Sequence, residues 1–71
     1  MAHFAVIGLG RFGSTLARKL YQEGHDVIGI DLDRELVQAI RDDATQAVAM
    51  DVRDKDRLRS LGLKDVDVAI V

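Results

Sequence analysis

Three glycines at fixed spacing, Gly8-Leu9-Gly10-Arg11-Phe12-Gly13, stand directly after a short apolar run, Phe4 to Ile7, and directly before a helical pattern. The chemistry this spacing suits is the holding of a phosphate or pyrophosphate. Gly8 permits a tight turn out of a strand, Gly10 lets the main chain approach phosphate oxygens with no side chain between, and Gly13 lets the helix lie close on the strand. The helix N-terminus then offers free N–H groups and a partial positive charge to the anion. A glycine loop alone is equally an ordinary flexible turn; the order strand, glycines, helix, acid is what favours phosphate. Arg11, inside the loop, can swing over the phosphates as a fork-shaped donor or simply remain solvated.

The acid is Asp31, at the end of the second apolar run, Val27 to Ile30. Its carboxylate can accept both hydroxyls of an adenosine ribose and would repel a 2′-phosphate, so the reading is NAD(H), ATP or ADP and not NADP. An ordinary turn aspartate is the alternative. Asp33 reads as a helix cap rather than a ligand. Asp51 and Val52 end the third apolar run, where adenine is expected to lie. The Asp51 carboxylate can there accept from the adenine amino group, or else cap the next turn. His3 and His25 have no acid or cysteine partner at a metal-binding or catalytic spacing and read as surface residues. No nucleophile-base constellation, paired catalytic carboxylates or Schiff-base lysine setting is apparent, so the chain reads as a binder and not an enzyme.

The elements that must position these residues follow from periodicity and punctuation. Phe4 to Ile7 is a buried strand. Phe12, Leu16 and Leu20, with Ala17 and Tyr21, form the inner face of a first helix that Gly24 stops. Val27 to Ile30 is the second strand, and Asp33 caps a second helix facing inward through Leu36, Val37 and Ile40. Ala47 to Met50 is the third strand, Asp54 caps a short helix carrying Leu58 and Leu61, Gly62 ends it, and Val66 to Val71 is the fourth strand. Strands alternating with helices of about ten residues predict an α/β fold, a parallel sheet of order 3-2-1-4 and right-handed crossovers. That is a Rossmann-type doubly wound sheet. With no helix after the fourth strand, residues 1–71 are expected to be the N-terminal part of such a domain rather than all of it.

Composition narrows the class. Of the 71 residues 48% are hydrophobic, with two Phe, one Tyr and no Trp, so the core must be Val, Ile, Leu and Ala, as suits helices on a buried parallel sheet. There is no cysteine, hence neither a disulfide framework nor a thiolate metal site. The net charge of −2 comes from intermixed acids and bases, which gives no basic field for nucleic acid. No apolar stretch approaches the roughly 20 residues needed to span a bilayer, and no signal peptide pattern opens the chain. A soluble protein is the expectation.

Taken together, FAVIGLGRFG, GHDVIGIDLD, ATQAVAMDVRD and LRSLGLKDVDVAIV resemble the N-terminal lobe of RCK or KTN domains, the regulatory subunits of Trk and Ktr potassium uptake systems. The resemblance covers the whole chain. Hydroxyacid and phosphogluconate dehydrogenases share the glycine loop and the following GH-x-V strand. The leucine pair Leu58 and Leu61, the turn Gly62-Leu63 and the strand Val68 to Val71 are what favour the regulatory family. The resemblance implies Gly8, Gly10, Arg11, Phe12 and Gly13 at the phosphates, Asp31 at the ribose and Asp51 near the adenine. It also implies homo-oligomers from dimers to octameric rings, a membrane-embedded potassium-translocating partner, and a cytoplasmic place on the inner face of the cell membrane. The competing reading is the cofactor-binding half of an NAD-dependent dehydrogenase, which would need a downstream substrate domain.

Overall fold

A computed structural model describes residues 2–63 and 66–71. The order is β1 (His3–Ile7), α1 (Arg11–Gln22), β2 (Asp26–Asp31), α2 (Arg34–Ala39), a 3-10 turn (Arg41–Asp43), β3 (Gln46–Ala49), α3 (Lys55–Ser60) and β4 (Asp67–Ile70). The four strands form one parallel sheet in the order β3-β2-β1-β4, as expected. In register, Ile7 lies beside Ile30 on one side and Ile70 on the other, and Asp31 lies beside Ala49. The strands therefore finish level with one another, which brings the loops after β1, β2 and β3 to one edge.

Side chains alternate across a sheet, and the two faces differ. Val6 and Val27 look toward α1 and α2 and join Leu9, Ala17, Val37, Ile40 and Ala44 in a single core cluster. Gly29 lies on this face, where a β-carbon would strike the end of the Ile40 side chain and press the Leu9 methyls at 3.3 Å, so both side chains would have to shift to admit one. Arg18 of α1 donates to the Ala39 carbonyl at the end of α2 and to the Asp43 carboxylate, both at 3.2 Å. It thereby satisfies an orphan carbonyl of the neighbouring helix. On the other face Ile7, Val68 and Ile70 look across an open apolar cavity of about 620 Å³ toward Leu58 of α3.

Capping explains where the helices start. The Asp33 carboxylate accepts from the Glu35 N–H at 2.9 Å, and the Asp54 carboxylate from the Arg57 N–H at 3.1 Å. Gly24, at φ +90°, turns the chain away after α1. Two expectations need correction. Phe12 and Tyr21 are not on the inner face of α1: Phe12 is 67% exposed, and the buried stripe is Gly13 and Ala17 with Leu16 and Leu20 partly covered. The close approach of the helix at Gly13 sets that phase, and Phe12, one residue earlier, is rotated outward. The crossovers are also not uniformly about ten residues: α1 has 12, but α2 and α3 have six each, with the 3-10 turn completing the second.

Candidate nucleotide-binding site

The glycine loop leaves β1 at Gly8, whose φ of +99° is a conformation that side chains resist. A β-carbon there would also lie 2.6 Å from the Val71 carbonyl oxygen. Gly13 meets the loop from the helix side, where an added β-carbon would overlap the Gly8 carbonyl oxygen. Gly10 is different, since nothing lies within 4 Å of where its β-carbon would be. Gly8 and Gly13 are thus demanded by the fold itself. Gly10 is not, and the space in front of it is open. Gly10 is also the N-cap of α1, with no side chain closing that end and no acid in the first turn.

Two consecutive N–H groups of the loop are tied to consecutive residues of β2. The Gly8 N–H donates to the Ile30 carbonyl at 2.9 Å, and the Leu9 N–H to Asp31 Oδ2 at 2.8 Å. The other Asp31 oxygen accepts the Asp33 N–H at 2.8 Å. Asp31 is therefore both the turn aspartate and the acid beside the loop, and two acceptor positions of its carboxylate remain for a ligand. Leu9 was not singled out from the sequence. Its side chain is 1% exposed, a core plug inside the glycine loop. The signal was its type, a leucine where a solvent-facing loop would carry a polar residue.

A cavity of about 170 Å³ opens at the ends of β1, β2 and β3, lined by Gly8, Asp31, Leu32, Asp51 and Val52 over a floor of Ile7, Ile30 and Met50. This is the crevice outside the carboxyl ends of the strands where doubly wound sheets take ligands. Of the expected site residues it unites Gly8, Asp31, Asp51 and Val52. Gly10, Arg11, Phe12 and Gly13 sit at the start of α1, outside the lining, with Arg11 and Phe12 exposed. Leu32, 68% exposed, adds an apolar wall that the sequence reading passed over.

Asp51 is engaged by Arg53. The Arg53 main-chain N–H donates to Oδ1 at 2.9 Å, and its guanidinium reaches both oxygens, the shortest contact being 2.7 Å from Nη2 to Oδ2. Those hydrogen bonds, the side-chain ones foremost, hold the Asp51 carboxyl at about 2, below its ordinary 3.8, and raise Arg53 above its ordinary value. The capping alternative for Asp51 is thus realised, because its side chain and its carbonyl, which accepts from Asp54 N–H at 3.0 Å, build the turn after β3. His3 is exposed, as expected, and His25 half-buried, and both histidines have partners that their spacing in the chain did not point to. His3 Nδ1 lies 2.9 Å from Asp26 Oδ2; partly buried His25 accepts the Ala2 N–H at 3.1 Å and meets Phe4 edge-on, centroids 5.2 Å apart. Parallel pairing of β1 with β2 puts residues 3 and 26 side by side, a proximity that linear spacing hides. Both histidines are at the sheet edge opposite the crevice.

The chain is similar to known proteins along almost its whole length. The chain is 41% identical over 68 residues to Ktr system potassium uptake protein A and 43% identical over 68 residues to Ktr system potassium uptake protein C, both of Bacillus subtilis (strain 168). Each alignment covers 96% of this chain and 31% of the relative. The Trk system potassium uptake protein TrkA homolog of Pyrococcus abyssi is 33% identical over 66 residues, 92% of this chain and 29% of that protein. The chain spans under a third of the length of these relatives. The TrkA-N domain family profile matches residues 4–71, and the chain belongs to the TrkA-N domain family.

Proposed function

We propose that the chain is the nucleotide-binding module of a regulatory, non-enzymatic component of a potassium uptake system, with NAD(H) or ATP/ADP as ligand. The observation that supports the nucleotide reading is the tie between Asp31 and the glycine loop, which holds a carboxylate of the crevice lining beside the loop that leads into the start of α1. The regulatory reading rests on the relatives, all potassium uptake proteins by name. The crevice alone would equally serve the cofactor half of a dehydrogenase. In the proposed role Gly10, Arg11, Phe12 and Gly13 meet the phosphates, Asp31 the ribose hydroxyls, and Val52 with Leu32 the base. Residues 1–71 then act as the N-terminal part of a larger domain. The domain assembles into dimers and rings of up to eight and docks on a membrane-embedded potassium-translocating subunit at the inner face of the cell membrane. None of the described helices is long and apolar enough to cross a membrane itself. A nucleotide biases such an assembly only as far as it binds its alternative shapes unequally.

Gly10→Val tests the reading. The open space at Gly10 lets the variant fold, while the new side chain fills the position of a phosphate oxygen. Calorimetry on the intact protein should show ATP and NADH binding lost with the thermal transition retained; unchanged affinity in the folded variant refutes the phosphate loop.

A further inference from the structure

We infer that Asp31 is also a positioning residue for the phosphate loop, so that the ribose and phosphate parts of the site are coupled through one carboxylate. This rests on the nucleotide reading above and deepens it. The loop has few anchors before Gly10: the Gly8 N–H on the Ile30 carbonyl, the Leu9 side chain in the core against Gly29, and the Leu9 N–H on Asp31 Oδ2. The last fixes the Gly8–Leu9 peptide, one peptide ahead of the Leu9–Gly10 link at which the main chain must face phosphate oxygens. The same carboxylate is held in orientation from its other oxygen by the Asp33 N–H, itself at the cap of α2. Each carboxylate oxygen has a second acceptor position. Ribose hydroxyls can therefore bind without displacing Leu9, and the carboxylate that receives them is the one that aims the loop.

A role confined to the ribose and a role in the loop predict opposite signs for a ligand that lacks both ribose hydroxyls. The probe is 2′,3′-dideoxy-ATP, titrated beside ATP into the intact parent and Asp31→Ala proteins. If Asp31 served the hydroxyls alone, removing a negative charge near the triphosphate would leave dideoxy-ATP unchanged or tighter. Loss of the tether instead weakens dideoxy-ATP by roughly threefold to tenfold, the coupling expected within one hydrogen-bond network, and weakens ATP by more. Hydrogen exchange without ligand gives an independent reading, in which the Leu9 amide exchanges faster in the variant. Unchanged or tighter dideoxy-ATP binding, or a Leu9 amide as protected as in the parent, overturns the inference. Should Asp31→Ala not fold, Asp31→Asn decides. An amide NH2 there replaces one carboxylate oxygen; faster exchange of the Leu9 amide together with weaker dideoxy-ATP binding supports the tether, and a Leu9 amide and dideoxy-ATP affinity both as in the parent overturn it. Failure of the parent to bind ATP and NADH would instead refute the nucleotide reading itself.

Discussion

The two faces of the sheet are built from the same residue types and end in different states. On one, Val6, Val27 and Gly29 are closed over by α1, α2 and the 3-10 turn, and Leu9, Ala17 and Ile40 are wholly or almost wholly shielded from solvent. On the other, Ala5 and Ile30 are buried at the middle of the sheet, but toward β4 Val68 is 51% and Ile70 80% exposed, and α3 stands across a cavity rather than on the strands. Apolar character therefore marks which residues are available for burial, and a partner element at close range decides which are buried. The crevice lined by Gly8, Asp31, Asp51 and Val52 lies at the end of the sheet where these faces meet. Its glycine loop and Asp31 belong to the closed region, while Asp51 and Val52 begin the crossing to α3.

The largest effect should come from the closest approach on the closed side. Gly13→Ala places a methyl group on the Gly8 carbonyl oxygen, a main-chain atom that cannot rotate away. Forced overlap of this kind costs more than the usual 1 to 3 kcal/mol of overpacking, about 4 kcal/mol or beyond. A thermal melt should lose its cooperative transition. Gly10→Ala, three residues earlier in the same loop, should melt within about 0.5 kcal/mol of the parent. Equal effects at the two positions would mean that the loop has no closed and open side.

A smaller contrast separates the faces directly. Ile40 is fully buried over Gly29, so Ile40→Ala leaves a cavity and should cost about 2 to 5 kcal/mol by urea denaturation of the 71-residue chain. Ile70→Ala, of identical chemistry, should cost about 0.5 kcal/mol or less. Comparable losses would show that the second face is closed in solution.

The closed region was the more legible in the sequence. Strand, glycine loop, helix and acid lie within one local stretch, and the alternation of strands with helices predicted the parallel sheet and its order. Asp33, Asp54 and Gly24 read correctly because caps and stops are local chemistry. What the sequence did not disclose depends on contacts between strands and across layers. The phase of α1 was misjudged at Phe12 because Gly13, with no side chain, carries no hydrophobic signal although it marks the packed stripe. Gly29, unremarked inside the second apolar run, is the seat of Ile40 and Leu9. The pairing of His3 with Asp26 required the register, and the hold of Arg53 on Asp51 required the turn between them to be folded.

The smallest effect is expected at that turn, where the closed region passes into the open one. Arg53 keeps the Asp51 carboxyl at about 2 against an ordinary 3.8, so the folded state holds this carboxylate ionised more readily than the unfolded chain does. The stabilisation is accordingly complete above pH 3.8 and is lost as the pH falls from there through about 2. The Arg53 side chain is 86% exposed and the pair lies in solvent, so screening keeps the contribution small and salt should reduce it further. Arg53→Ala should raise the Asp51 midpoint toward 3.8 in a carboxyl-detected NMR titration, with little change in the melt at neutral pH. The parent's advantage should vanish as the pH drops through that window. An Asp51 midpoint unmoved by the substitution would show that some other donor holds the carboxylate. A midpoint that moves in the free protein but not with ATP bound would point to the adenine amino group as that donor, restoring Asp51 to the base-binding role its position at the end of β3 first suggested.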